Sequence, residues 1–209
     1  MPMASVEKYR QSSVVNQLRH NNRTITYSSN PDIDLDRSHL NYSLTPDRGI
    51  SEYDYFLHRK SQLYCYNRKD IVVLAGWIVT APKDLPTEQQ KDFFESVYHF
   101  LTQRYGEENA VQATVHMDES GEPHLHFLFI PAAPDKKHAQ KEKICANDVL
   151  NPKELRNFHP DLQRHLKKEG INAKVLTGVT AAQGGNKTVA ELKTERNQTV
   201  QREIERGRW

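Results

Sequence analysis

Residues 111–130 read VQATVHMDESGEPHLHFLFI, a stretch whose histidines and carboxylates are spaced for metal chemistry. Both halves alternate as strands do: Val111, Ala113 and Val115 fall on one face, Gln112, Thr114 and His116 on the other. Beyond the turn-forming DESGEP, His124, His126 and Leu128 share a face, and Leu125, Phe127 and Phe129 take the opposite one. At a rise of about 3.3 Å per residue, His124 and His126 stand roughly 6.6 Å apart on one side of a strand. A hairpin through the turn brings His116 across from them, with Asp118 and Glu119 at the lip. Imidazole is the commonest biological metal ligand, and three protein ligands leave positions open for water or substrate. A His-x-His alone is more often an exposed strand feature than a metal site. The third histidine, and Glu119 three residues past it, shift that balance. Histidine between apolar neighbours is also costly to bury without a partner.

The rest of the chain must position these groups. Met3–Tyr9 reads as a first strand, and Ser12 or Ser13 as the cap of a helix through VVNQLRHNNR that carries His20, Asn21 and Arg23 near its end. SSNPDIDLDRS is a loop rich in turn formers. HLNYSL, residues 39–44, reads as a strand with His39, Asn41 and Ser43 on one face, and residues 51–68, dense in tyrosine, as a helix. The apolar run IVVLAGWIVTA is a buried strand ending at Pro82. Thr87–Tyr105 is the clearest helix, with a capping box from Thr87 and Gln90, a stripe of Phe93, Phe94, Val97, Tyr98, Leu101 and Tyr105, and Gly106 as its stop. A polar, lysine-bearing segment covers 132–143. Asn151 and Pro152 then open a helix that points Leu155, Phe158, Leu162 and Leu166 inward and ends at Gly170. A last charged helix begins at Thr188 and runs to the end uncapped, which leads us to expect a piece of something longer. This alternation predicts an α+β fold: a mainly antiparallel sheet with flanking helices and a metal site on its central strands.

Composition sets wider bounds. The 209 residues suit one domain with an appendage. No apolar run approaches the ~18 residues of a membrane span and no signal-peptide pattern opens the chain, so a soluble, cytoplasmic protein without membrane contact is expected. Cys65 and Cys145 lack metal or redox spacing and read as reduced bystanders. The net charge of +2 says little, but its distribution is uneven. Residues 83–119 hold three cations against eight acids, and residues 131–175 ten against six. Such polarity can present a cationic face to a phosphate backbone, although solvated helix faces explain it equally well.

Histidine–hydrophobic–histidine on a central strand of such a sheet resembles the signature of HUH endonucleases, and four motifs in order resemble the relaxase domain of the Mob/Pre plasmid mobilisation proteins, the MobV family. HNNR at 20–23 is similar to the family's HNxR, and DRSHLNY at 36–42 to its second motif. HMDESGEPHLH at 116–126 resembles HxDExxPHxH with one extra residue before the proline, and NKTVAELK at 186–193 resembles a segment near the domain's end. The resemblance implies a relaxase domain over 1–195, with 196–209 beginning a charged helix toward a missing C-terminal region used for dimerisation.

It further implies a site- and strand-specific nick at an origin of transfer, made by metal-dependent transesterification that leaves the 5′ end covalently on the protein for conjugative mobilisation. His116, His124 and His126 would hold a divalent ion, with Mn or Mg expected and Zn, Co or Ni possible, and Glu119 would complete or order its shell. The nucleophile implied is His20, since relaxases place it near the N-terminus; from position alone His20 is a helix-end cation complementing the dipole. Arg23, Tyr42 and Tyr105 correspond to DNA-contacting positions, against the plainer readings of a solvated cation and core aromatics. Expected partners are single-stranded DNA, an origin hairpin and a second copy of the whole protein. Two other readings stay open: a tyrosine-dependent rolling-circle replication initiator and an origin-binding module that does not cut. A three-histidine hydrolase leaves HNNR and HLNY unexplained.

Overall fold

The structure, a computed structural model, describes residues 3–24 and 32–175. The segment resembling the family's closing motif, the helix expected from Thr188 and the 196–209 extension all lie outside the described residues.

A five-stranded antiparallel sheet forms the frame. Its strands are β1 (Ala4–Arg10), β2 (Tyr42–Ser43), β3 (Val72–Thr80), β4 (Ala110–His116) and β5 (His124–Phe129), and they lie in the order β1-β3-β5-β4-β2. The hairpin strand β5 is thus central, with β4 and the apolar β3 beside it, and His116 pairs with His124 and Thr114 with His126. The alternation of polar and apolar residues therefore survives with one exception. A bulge between Ala110 and Gln112 gives β4 an extra residue. Val111 turns to the opposite core from Ala113 and Val115, joining Val14, Leu18, Phe56 and Leu128.

Helices cover both faces. The histidine-bearing face packs against α1 (Gln11–Asn21) and α2 (Glu52–Ser61) through Val14, Leu18 and Phe56. The other face packs against α3 (Gln90–Tyr105) and, beyond the small hairpin β6 (Ala132–Pro134) and β7 (Glu142–Ile144) and the short α4 (Ala146–Val149), against α5 (Pro152–Lys168). Phe93, Phe94, Leu101, Phe127, Phe129, Phe158 and Leu162 are wholly buried there, each contributing roughly 1.5–3 kcal/mol of transfer free energy. Trp77 stacks on Phe158 at 3.5 Å and donates through Nε1 to the Tyr105 hydroxyl at 2.8 Å. That hydroxyl donates to Glu154, which Arg104 grips with two nitrogens.

Several local expectations change. α1 starts at Gln11, directly after β1, without a serine cap. Residues 35–40 form a 3-10 helix capped by Asp34, so HLNYSL contributes only Tyr42 and Ser43 to the sheet. The helix expected over 51–68 ends at Ser61. Pro86 leads into a 3-10 turn at Thr87–Gln89, so α3 begins at Gln90 and the Thr87 capping box does not form. Gly106 stops it with φ 90°. The lysine-bearing 132–143 segment is the β6–β7 hairpin. On α5, capped by the Asn151 side chain, Leu155 is 39% exposed because Glu154 takes the inward position one turn before Phe158. No helix among the described residues is long and apolar enough to cross a membrane.

Candidate metal centre

His116 ends β4 and His124 begins β5, so their register pairing fixes both rings at one end of the sheet, and His126 follows two residues along. The ring centroids of His116 lie 5.4 Å from His124 and 4.6 Å from His126, and those of His124 and His126 lie 5.0 Å apart. One ligand atom from each lies within 4.8 Å of the others, close enough to converge on a single ion. Burial holds His124 below the usual histidine range and His126 well below it, favouring the neutral form that binds metals.

Hydrogen bonds fix two of the tautomers. His116 Nε2 lies 2.8 Å from the Asn21 carbonyl, which can only accept, so Nε2 carries the proton. Nδ1 is left as an acceptor and receives the Arg23 guanidinium at 3.1 Å. His124 donates through Nδ1 to the Glu122 carbonyl at 3.2 Å, leaving Nε2 free. Both nitrogens face Glu119: Oε1 is 3.7 Å from His116 Nδ1, which Arg23 also bonds, and Oε2 is 3.8 Å from the free His124 Nε2. Burial opposes ionisation of Glu119, but the hydrogen bond and charge of Arg23 outweigh it and hold its carboxyl below the usual range. Three imidazoles and one carboxylate form a donor set that suits a divalent ion.

The end of α1 delivers the fourth histidine. Gln112, fully buried on β4, donates to the Leu18 carbonyl and the Asn22 side chain and accepts from Asn21. This bond set pins the last turn of α1 over the sheet. The His20 ring stands 6.4 Å from both His116 and His126. Burial, then the charge of Arg23, lowers its pKa, so its imidazole is neutral near pH 7.

Arg23 follows in a left-handed conformation, φ 54°. Its guanidinium donates to both oxygens of Asp118 at 2.8 Å, to Glu119 at 2.7 Å and to the His20 carbonyl at 3.1 Å. Its side chain is only 8% exposed, so in this structure it is an internal bracket and not the solvated cation that its sequence position also allowed. Asp118 has no exposed surface and also accepts from Ser38 at 2.7 Å and Asn41 at 2.8 Å. Burial opposes its ionisation, yet these bonds hold its carboxyl well below the usual range. The DRSHLNY segment thus acts by bracing Asp118. Asn41 also accepts from Met117 N at 2.7 Å, and Ile33 bridges Glu119. Ser38, Asn41 and Gln112 were not singled out as site residues in the sequence; for Ser38 and Asn41 the available signal was their position inside the DRSHLNY-like motif, and for Gln112 its place on the histidine face of β4.

Two expected residues are not brought to this cluster. Tyr42 pairs with Val115, whose side chain lies on the face opposite His116, and it packs against the α3–α5 core. Burial, then Glu95, raises its hydroxyl to about 12. Tyr105 is 8% exposed, stacked on Phe129 at 4.3 Å and hydrogen-bonded through its hydroxyl, a core aromatic on that same far face.

Histidines on the central strands of an antiparallel sheet, faced by another from the first helix, define the fold of an HUH-type relaxase domain. The MobM relaxase domain, solved with Mn and bound to plasmid pMV158 oriT DNA, superposes with a TM-score of 0.75 at 31% identity, covering 92% of this chain and 97% of that one. The Mob_Pre family model, described as plasmid recombination enzyme, matches residues 1–194, and the chain belongs to that family. A plasmid recombination enzyme of Streptococcus agalactiae is 33% identical over 200 residues, and one of Lactiplantibacillus plantarum 30% over 211. The matches cover 91% and 98% of this chain but 38% and 56% of those relatives, so the chain spans about half their length or less.

Proposed function

We propose that this domain nicks one strand of DNA at a plasmid or mobile-element origin of transfer by transesterification, with His20 as nucleophile. The observation that carries the reading is the approach of His20 to within 6.4 Å of two rings of the three-histidine cluster, from a different element. A surface histidine complementing the helix dipole has no need of that neighbourhood.

The chain's own groups divide the work. A neutral His20 nitrogen attacks the scissile phosphorus, a P–N bond forms, and the P–O3′ bond breaks. The 3′ oxygen leaves with a proton, the ring sheds its remaining N–H proton, and the 5′ phosphate stays on the protein for later religation. His116, His124, His126 and Glu119 would hold a divalent ion, which polarises the phosphate and stabilises its developing charge when bound. Arg23 and Asp118 keep the α1 terminus and the hairpin turn in register. Supporting the reading, MobM was solved with Mn and oriT DNA, which makes Mn the first metal to test, with Mg, Zn, Co and Ni as alternatives. The proposed partners are single-stranded DNA, an origin hairpin and a second copy of the protein, and the proposed location is the cytoplasm. For DNA contact we retain Tyr42 and the cationic β6–β7 hairpin, where Lys136, Lys137 and Lys141 are exposed, ahead of the buried Tyr105.

The tyrosine-dependent alternative loses ground because, among the described residues, the rings touching the histidine cluster are histidines only. The test is cleavage of a labelled origin oligonucleotide with Mn. Wild type should cut at one phosphodiester, and His20→Ala should bind the oligonucleotide without cutting. Binding without cutting by the wild type as well would favour the non-cutting module.

A further inference from the structure

Two of the three clustered histidines have an outer partner that fixes the ring. His116 donates to the Asn21 carbonyl and His124 to the Glu122 carbonyl. The third does not: among the described residues His126 makes no hydrogen bond through either nitrogen, although the residue is only 7% exposed. Directly opposite it on β4 stands Thr114, whose buried Oγ1 has no hydrogen-bond partner. Two unpartnered polar groups therefore sit on the same face of neighbouring strands, at a paired position where side chains are about 4.5–5.5 Å apart at Cβ.

The other directions open to Thr114 are closed. On its far side the paired residue is Ser43, whose hydroxyl is engaged with Thr45. A threonine in a strand has no carbonyl one turn back to bond, as it would in a helix. Among the described residues the remaining unpartnered buried side-chain atoms, Ser96 Oγ and Tyr98 Oη, belong to α3 on the opposite side of the sheet. A valine would fill the same space, so the hydroxyl answers to something other than packing. Metal-ligating histidines generally donate their second ring N–H to an outer acceptor, which fixes tautomer and orientation.

We propose that Thr114 is that acceptor: when His126 gives one nitrogen to a divalent ion, the Thr114 hydroxyl takes the N–H of the other. The inference rests on the reading of the histidines as cation ligands. It makes Thr114 a positioning residue, acting through His126 and not on the DNA. It also gives each histidine of the cluster one anchor: the carbonyl at the end of α1, the carbonyl in the turn and the hydroxyl on the neighbouring strand.

The experiment titrates the metal-free protein with Mn2+ alone by calorimetry, and with Co2+ followed by its visible absorption. Thr114→Val should weaken affinity about 10–100-fold, the range expected for loss of an outer-shell partner. It should also alter the Co2+ band envelope, and Thr114→Ser should restore both. The metal-free Thr114→Val protein should melt no lower than wild type, since the substitution removes an unsatisfied hydroxyl and keeps the volume. Wild-type affinity in Thr114→Val overturns the proposal, as does a loss of affinity matched by a lower melting temperature or a failure of serine to rescue. His126→Ala run alongside separates the two levels: unchanged Mn2+ affinity there would remove the ligand reading itself.

Discussion

Asp118→Ala should be among the most damaging single changes outside the histidines. The carboxylate is wholly buried and accepts four hydrogen bonds, two from Arg23 and one each from Ser38 and Asn41. Removing one member of a buried ion pair typically costs about 3–5 kcal/mol, because the other charge is left uncompensated. Here Glu119 still receives Arg23 at 2.7 Å and softens that loss, while Ser38 and Asn41 lose an acceptor at a cost of about 1 kcal/mol or more each. The opposing corrections are of similar size, so about 3–5 kcal/mol remains the expectation at pH 7. Urea unfolding followed by circular dichroism measures it, with Asp118→Asn expected in between because the amide oxygen keeps part of the acceptor set. The sign of the pH dependence follows from the depressed carboxyls of Asp118 and Glu119. Their stabilisation is fully present above the unfolded-state values near 4 and is lost as pH falls through the lower folded-state values. The gap between wild type and Asp118→Asn should therefore be constant from pH 7 to about 5 and shrink between about 4 and 2. A gap under about 1 kcal/mol at pH 7, or one that widens on acidification, would mean that the buried Asp118 carboxylate does not brace the site.

Three further outcomes are expected. His124→Ala and His126→Ala should abolish cutting of an origin oligonucleotide while leaving most of its binding, measured by gel shift, because backbone and groove contacts lie elsewhere. Affinity should fall with salt along a logarithmic slope of about −0.9 per duplex phosphate neutralised and nearer −0.7 for single strands. Reversing Lys136, Lys137 and Lys141 should flatten that slope; an unchanged one would place the DNA on another face. Since His20, His124 and His126 are all lowered, the neutral population needed for attack and ligation persists below pH 6.5 and disappears only as pH falls through those values. Single-turnover adduct formation should thus show an acid limb with its midpoint below 6.5, whereas a midpoint at or above that value contradicts the burial argument.

The frame and the histidine triad were legible in the sequence because they rest on period-two alternation. His116, His124 and His126 share a face by strand geometry alone, and the turn between them sets the register. What escaped depends on contacts between distant segments. That residues 39–41 stay out of the expected strand is decided by Ser38 and Asn41 bonding Asp118, about 80 residues away along the chain, which strand propensity does not register. Tyr42 and Tyr105 read as exposed contacts or as core until the layers are assembled, because periodicity gives a residue's face but not what covers it. The bulge at Val111 and the exposed Leu155 follow the same logic: a local pattern was overridden where Gln112 and Glu154 took inward positions for hydrogen bonds.

Whether His20 carries the cleaved strand is decided by trapping the covalent complex on a suicide oligonucleotide, exposing it to acid and mapping the linked peptide. A phosphorus–nitrogen link is acid-labile, so the adduct should be lost in acid, map to His20 and be absent from His20→Ala, with His20→Tyr at best partly restoring an acid-stable one. An acid-stable adduct in the wild type, mapping to Tyr9, Tyr27 or Tyr42, would contradict the His20 assignment.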